Sequence, residues 1–138
     1  FQATMLNRAL YGVVSLAESG GSIADAVEIG SSRPIALPHW IGALVIANIN
    51  SYAGGTRLGA GIVSDDGRLD AFALPSGLAM GLAVGGVRSA RRLDAHRHLH
   101  IRIRRPLAMQ VDGEPVIAKP GRYEIRPGGS VAVLAAPG

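Results

Sequence analysis

From residue 98 to residue 104 the chain alternates without a break. Leu99, Ile101 and Ile103 fall on one side, and His98, His100, Arg102 and Arg104 on the other. Period-two alternation predicts a strand with one face in a core and a basic face in water. Residues 42–49 read differently: GALVIANI is a continuous β-rich apolar run, which predicts a central strand buried on both faces. Further strands are expected at 26–29, at IALPHW after the turn GSSRP, and at RLDAFAL (68–74). LAMQV and PVIA flank Asp112-Gly113-Glu114, and RYEI and SVAVLA close the chain around the turn RPGG. Two segments carry helical spacing. Over 2–18, Met5, Leu6, Ala9, Leu10, Val13, Val14 and Ala17 recur at i, i+3 and i+4, and Gly20-Gly21 follows as a stop. SGLAMGLAVGGVRSARR predicts a second, short helix weakened by Gly81, Gly85 and Gly86. Ser22 and Asp25 resemble a helix-capping pair, but Val27 and Ile29 alternate, and the strand is the reading adopted. Residues 50–61, rich in glycine and polar side chains, read as a loop. Many short strands separated by turns predict a mainly β protein, a sandwich or barrel carrying one or two helices.

Composition narrows this picture. The 138 residues suit one domain with its own core, residues 1–138 being read as a single unit. The chain opens at Phe1 on an apolar periodic segment, so it is expected to be a piece of a longer protein. No apolar run reaches the roughly 18 residues of a membrane-spanning helix, so a soluble domain is expected. Cysteine is absent, which removes disulfides and thiolate metal sites and fits a cytoplasmic, reducing setting. The net charge of +4 is concentrated in RSARRLDAHRHLHIRIRR, residues 88–105. Such a patch suits nucleic acid, an anionic lipid surface or a phosphorylated ligand, or is simply a solvated strand face. Aromatic residues are only 4% of the chain, which argues against single-stranded nucleic acid, where bases stack on rings.

Chemistry could reside in few places. Asp-Gly between alternating apolar runs is a strong hairpin signal, and it occurs at Asp66-Gly67 and at Asp112-Gly113. A turn accounts for Asp and Gly but not for Glu114, since glutamate is mildly disfavoured where a strand begins. A carboxylate fixed at a hairpin end is well placed for general-base work, so both readings stand. Asp65, Asp66 and Asp70 cluster as hard oxygen donors without the spacing of an EF-hand loop. His96, His98 and His100 occupy alternate positions that would share one strand face, but the surrounding arginines favour an exposed basic face over a metal site. The glycine-rich stretches AGGTR and ESGGS match neither a P-loop nor a dinucleotide fingerprint, and no Gly-x-Ser-x-Gly elbow is present.

Taken in order, VIANINSYAGGTRLGAGIVSDDGRLDAFAL and LHIRIRRPLAMQVDGEPV resemble the C-terminal domain of diacylglycerol kinase-like lipid kinases, a group that includes bacterial diacylglycerol kinases and sphingosine kinases and is related to NAD kinases. The shared pattern is a strand ending at Asn48, a Tyr-x-Gly-Gly loop at Tyr52–Gly55, Asp-Asp-Gly-x-Leu-Asp at Asp65–Asp70, and Val-Asp-Gly-Glu at Val111–Glu114. It spans about residues 26–136. The resemblance implies the C-terminal β-sandwich of a two-domain kinase that transfers the γ-phosphoryl group of ATP to a lipid hydroxyl in the interdomain cleft. By position, Glu114 matches the general base, and Asp112 shapes its loop. Asp66 matches the side-chain ligand of a structural Mg²⁺, with the carbonyls of Val63 and Arg68 as further ligands. Asn48, Gly54 and Gly55 are implied near the cleft. The resemblance also implies a lipid substrate, a cytoplasmic location peripheral to the inner membrane face, and no nucleic-acid partner. An exposed β-edge makes a homo-oligomer an expectation as well. The chain departs from the family in two ways. It lacks the Gly-Gly-Asp-Gly-Thr nucleotide loop, so ATP would be bound mainly by a domain absent from this chain. It has Thr56 where many relatives carry a third glycine. Glu114 after Asp-Gly favours the lipid branch over the NAD kinases, which tend to have glutamine there. A noncatalytic lipid- or protein-binding sandwich is the competing reading, and a NAD kinase-like fragment a third.

Overall fold

The computed structural model describes residues 13–17, 21–49, 51–52, 56–57, 61–63, 66–75, 90–112 and 114–128. Within them the chain forms strands β1 (Val13–Ala17), β2 (Val27–Gly30), β3 (Pro34–Ile35), β4 (Ala43–Ala47), β5 (Ser51–Tyr52), β6 (Thr56–Arg57), β7 (Leu69–Leu74), β8 (Arg91–His96), β9 (Leu99–Ile103), β10 (Leu107–Val111), β11 (Glu114–Ala118) and β12 (Gly121–Ile125), and no helix. A six-stranded sheet runs β11-β10-β1-β4-β7-β8 and a four-stranded sheet β12-β9-β2-β3, with β5 and β6 as a separate small hairpin. Every pairing is antiparallel.

The two larger sheets enclose one core. Val27 and Ile29 of β2, Leu99, Ile101 and Ile103 of β9, Leu44 and Ile46 of β4, and Leu69, Ala71 and Ala73 of β7 are all buried in it. The alternation predicted for 98–104 is therefore the observed one, with burial switching at every residue of β9. The continuous apolar run at 42–49 has an equally direct cause. Each residue of β4 is buried, because its two faces serve different clusters. Leu44 and Ile46 face the sandwich interior, whereas Ala43, Val45 and Ala47 pack with Ile49, Ile62, Phe72 and Leu74 on the other side of the six-stranded sheet. The expected mainly β sandwich is what forms.

The predicted helix over 2–18 is corrected where it can be compared: residues 13–17 are strand β1, hydrogen-bonded between β10 and β4 in the middle of the six-stranded sheet. The segment is apolar enough to satisfy a helical stripe and a strand at once. β-Branched Val13 and Val14, together with two waiting sheet edges, favour the strand. Residues 2–12 lie outside the described residues. The second predicted helix ends in error too, since Arg91 and Arg92 open β8, while residues 76–89 lie outside the description. The terminal strand expected at SVAVLA also lies there. IALPHW contributes only its first residue to a strand, Pro34–Ile35. Part of the loop expected at 50–61 is instead the β5–β6 hairpin. Ser22 caps a single turn rather than a helix: its hydroxyl accepts from the Ala24 amide (3.2 Å) and donates to the His39 carbonyl (2.7 Å), while the Ala26 and Val27 amides donate to the Ile23 carbonyl.

One acidic side chain is fully buried among the described residues. Asp70 is 1% exposed, and the Arg92 guanidinium on neighbouring β8 donates to its Oδ1 through Nε (2.6 Å) and through a second nitrogen. A β-bulge lets them meet. Pairing runs Leu69↔His96, Asp70↔Ala95 and Ala71↔Asp94, then jumps to Phe72↔Arg92, leaving Leu93 as an extra residue. Arg92 is thereby placed on the same face as Asp70. Replacing Arg92 by Met strands a buried carboxylate. The expected loss in urea denaturation is roughly 2–3 kcal/mol, below the 3–5 of a fully buried pair because the Arg92 side chain is 44% exposed. Asp70→Leu/Arg92→Met should recover most of it. A loss under about 0.5 kcal/mol in Arg92→Met would remove the pair from the list of determinants of this fold.

Candidate functional site

The register of the six-stranded sheet determines which loops share an end. Val111, the last residue of β10, lies in a row with Val14, Ile46 and Ala71. One row further out are Val13, Ala47 and Asp70. Beyond that row emerge the β10–β11 turn, Asn48 after β4, the Asp66–Arg68 segment before β7, and His96 at the end of β8. Four segments far apart in sequence thus leave the sheet at one end. With strands about 4.8 Å apart, the β10–β11 turn is about 10 Å from the end of β4 and about 14 Å from the start of β7.

The β10–β11 turn has two residues, because Val111 pairs directly with Glu114. Asp112 has φ of 49°, the left-handed conformation that aspartate tolerates better than most side chains and that a two-residue hairpin demands. The Asp-Gly hairpin reading is therefore correct, and it starts β11 at Glu114, whose side chain is exposed. The other Asp-Gly is also a turn. The Arg68 amide donates to Asp66 Oδ1 (2.8 Å), and Gly67 has φ of 67°. The Arg68 guanidinium turns aside to the Ala95 carbonyl. Arg97 approaches from the β8–β9 connection, its Nη1 3.9 Å from where a Gly67 Cβ would sit. Val63, Asp66 and Arg68 are exposed. Asn48 is half-buried, and its Oδ1 is buried without a hydrogen bond from the chain, an uncommon state for an amide oxygen. Gly54, Gly55 and Asp65 lie outside the described residues.

Of the sequence-predicted residues, Asn48, Val63, Asp66, Arg68, Asp112 and Glu114 are described. The register brings Asn48, Asp66, Arg68, Asp112 and Glu114 to one end of one sheet. Asp70 is drawn off to Arg92 and does not join Asp66. Sequence reasoning missed that ion pair, although an aspartate within an apolar strand was the available signal. It also missed Arg97.

The histidines do not share a face. His96 ends β8 in the six-stranded sheet, His100 lies in β9 of the four-stranded sheet, and His98 joins them. Nor do the described residues contain a group of three His, Cys, Asp or Glu that could hold a metal. The His98 Nε2 lies 2.5 Å from Glu124 Oε1, and its ring centroid 5.4 Å from that of His100. The outer face of the four-stranded sheet carries the basic character expected of it. Arg102 stands between Glu28 and Arg122 in the ladder, and Arg104 pairs with Glu28. The hydrogen bond from Arg104 holds the Glu28 carboxyl below its usual range, with Arg102 and Arg122 adding to the effect. Among the described residues no helix is long and apolar enough to cross a membrane.

Comparison with known proteins gives the family. The model of the diacylglycerol kinase accessory domain matches residues 1–115. Diacylglycerol kinase 2 of Arabidopsis thaliana is 30% identical over 112 residues, which cover 74% of this chain and 16% of that protein. Two crystal structures from Bacillus anthracis str. Sterne are among the matches. One is of a diacylglycerol kinase (12% identity, TM-score 0.49, 83% of this chain and 46% of that one). The other is of a protein given that assignment provisionally (13% identity, TM-score 0.50, 83% and 50%). The chain spans half or less of the length of each of these relatives. The chain belongs to the diacylglycerol kinase accessory domain family.

Proposed function

We propose that this chain is the C-terminal, base-bearing domain of an ATP-dependent lipid kinase that phosphorylates a lipid hydroxyl such as that of diacylglycerol. The observation that carries the reading is the shared register end. A carboxylate at a hairpin tip, an unbonded amide oxygen and an aspartate turn face one margin of one sheet. In this reading Glu114 accepts the proton of the lipid hydroxyl as its oxygen bonds to the γ-phosphorus and the bond to the β-phosphate oxygen breaks. Asp112 fixes the backbone that presents Glu114. Asn48 Oδ1 accepts a donor from the substrate or from the domain across the cleft.

Magnesium fits the donor chemistry at Asp66. It takes few protein oxygens and keeps several waters, so one exposed carboxylate and the carbonyls of Val63 and Arg68 would suffice. A bound ion would brace the loop ahead of β7 and offset the acidic charge of the margin. Arg97 is the unfavourable neighbour, since its cation lies against the same turn. ATP would be held mainly by a second domain carrying the glycine-rich loop that this sequence lacks. The setting proposed is cytoplasmic, at the inner membrane face. The exposed apolar edge at Val116 and Ile117 of β11 is the surface we propose for a second copy or for that second domain.

The basic face of the four-stranded sheet favours a second reading, that of a module that binds anionic lipid without catalysis. The two are compatible, because a kinase acting on a membrane lipid must reach the bilayer.

In the longer kinase, Glu114→Gln should lower phosphorylation of a lipid alcohol by about 10²-fold or more while the thermal midpoint stays near wild type. Turnover within a few-fold of wild type would refute the assignment of the base. For the metal, millimolar Mg²⁺ should raise the thermal midpoint of the chain by a few degrees, and Asp66→Asn should abolish the rise. An equal rise in both proteins would place the ion elsewhere. For the membrane surface, the chain should float with phosphatidylglycerol vesicles at low salt and be released above about 0.3 M salt, where screening shortens the reach of surface charge. Binding indifferent to salt and to anionic lipid would count against the basic face.

A further inference from the structure

At the side of the sandwich where β3 edges one sheet and β8 edges the other, the two sheets leave a cavity of about 400 Å³. One wall is Ser32 to Ala36, and the other is Arg91, Leu93, Asp94 and His96. The wall runs along β8 from Arg91 to His96, and the β10–β11 turn sits at the opposite edge of the six-stranded sheet.

The bulge builds this wall. Had the pairing of Ala71 with Asp94 continued in step, Leu93 would oppose Phe72, and Arg92 would oppose Ala73 on the interior face. The extra residue shifts the ladder by one. Arg91 now pairs with Ala73, and Ala71, Ala73 and Leu69 all face the sandwich interior. Arg91, Asp94 and His96 therefore share the interior-facing side with Leu93, which packs against the core. A one-residue slip flips the side chains of a strand, and here it sends Arg92 to Asp70 while turning Arg91 into the cavity.

The charges in the cavity are unequal. Asp94 is already engaged, accepting from the Ala95 amide (2.8 Å) and lying 2.9 Å from His96 Nε2. Arg33 and Arg91 reach the cavity from the two sheets, and neither makes an ion pair among the described residues. Two guanidinium groups against one occupied carboxylate leave a cationic mouth. Ile35 and Leu93, both packed on the core, give it an apolar floor. Paired guanidiniums match the oxygens of a phosphate with directed, charge-assisted hydrogen bonds, and the volume exceeds that of inorganic phosphate, leaving room for an organic substituent.

We propose that the cavity between β3 and β8 is a binding site for a phosphate monoester, clasped by Arg33 and Arg91, with the carbon next to the phosphate resting on Ile35 and Leu93. The ester could come from a soluble metabolite or from a lipid with a terminal phosphate. The cavity lies at the opposite edge of the six-stranded sheet from Glu114, and neither Glu114 nor Asp66 lines it, so it stands or falls without the kinase reading.

Calorimetric titration of the 138-residue chain at fixed ionic strength tests it, with glycerol 3-phosphate and, below its micelle concentration, dihexanoyl phosphatidate as probes. Saturable 1:1 binding of either is expected, and which binds more tightly identifies the source. Arg33→Gln/Arg91→Gln should weaken it at least tenfold, whereas Lys119→Gln, on the exposed connection between β11 and β12, should leave it within twofold. Arg33→Lys/Arg91→Lys should keep an intermediate affinity. Should the glutamine pair fail to fold, amide shifts of the wild-type chain on titration provide the second readout, and changes centred on Arg33, Leu93 and His96 are expected. No saturable binding of either probe overturns the site. So does equal loss in Lys119→Gln, or amide shifts centred on another part of the chain.

Discussion

The structure depends on one strand having no solvent face. β4 is buried along all five residues because it lies under the four-stranded sheet on one side and under the cluster of Phe72, Leu74 and Ile62 on the other. A strand in that position must pair on both edges, since a buried and unpaired backbone group costs as much as a lost hydrogen bond. β1 and β7 supply those edges. Once they are aligned with β4, the apolar pattern fixes their register, because a one-residue slip would turn Leu44 and Ile46 out of the core. The positions of Asn48 and of the Asp66–Arg68 segment follow from that alignment. β10 then takes its register from β1, and the Asp112–Glu114 turn is carried to the same margin.

The edge strand β8 is where the pattern loosens, and the chain uses the freedom. A central strand could not absorb an extra residue without disturbing two neighbours, but β8 pairs only with β7. The bulge at Leu93 lets Leu93 and Asp94 both face the sandwich interior while Arg92 faces out, which a regular strand could not do. Arg92 must reach a buried Asp70 on one face, while Leu93 must pack into the core on the other. Two adjacent residues on opposite faces are ordinary. What the bulge adds is that Asp94 faces the same way as Leu93, giving the β3–β8 cavity its polar side. A bulge near a sheet edge re-aims side chains in this way at modest cost.

Most of the sheet was legible from period and turn chemistry. β9 could be read because one face is wet and the other dry, which writes a clear alternation, and β10, β11 and both Asp-Gly turns because turn chemistry separates short apolar runs. β1 was misread because the apolar density of VVSLA, which pairs on both edges in the middle of a sheet, fits a helical stripe equally well. β8 was hidden for the opposite reason. RRLDAH is too polar to announce a strand, and its only buried residue is Ala95. The candidate site was half legible. Local chemistry at Glu114 and Asp66 could be named from the sequence, as could the ordered set of motifs. Their common end of one sheet could not be read, since it rests on the pairing of strands far apart in sequence, such as Val14 with Val111. The Asp70–Arg92 pair and the β3–β8 cavity were not legible, because both require the bulge.

The sandwich also sorts its charge by sheet. The acids that the proposed chemistry uses leave the six-stranded sheet at one end, while Arg102, Arg104 and Arg122 line the outer face of the four-stranded sheet. Mixing them would be costly in both directions. An arginine row beside Glu114 would hold its proton off and weaken it as a base, and acids among the strand arginines would cancel the field that draws an anionic surface. Glu28 and Glu124 do sit on the basic face, yet each is occupied, by Arg104 and by His98. They fix the orientation of two basic side chains and leave Arg102 and Arg122 side by side. Like charges in adjacent ladder positions destabilise a sheet, and a sheet that keeps such a pair is better matched to an anionic surface than to bare water. Arg91 and Arg92 on the six-stranded sheet and Arg68 just before β7 depart from this sorting, and so does the Arg97 cation near the Asp66 turn. Arg97 joins the two charge regions at the β8–β9 connection, where the chain passes from one sheet to the other.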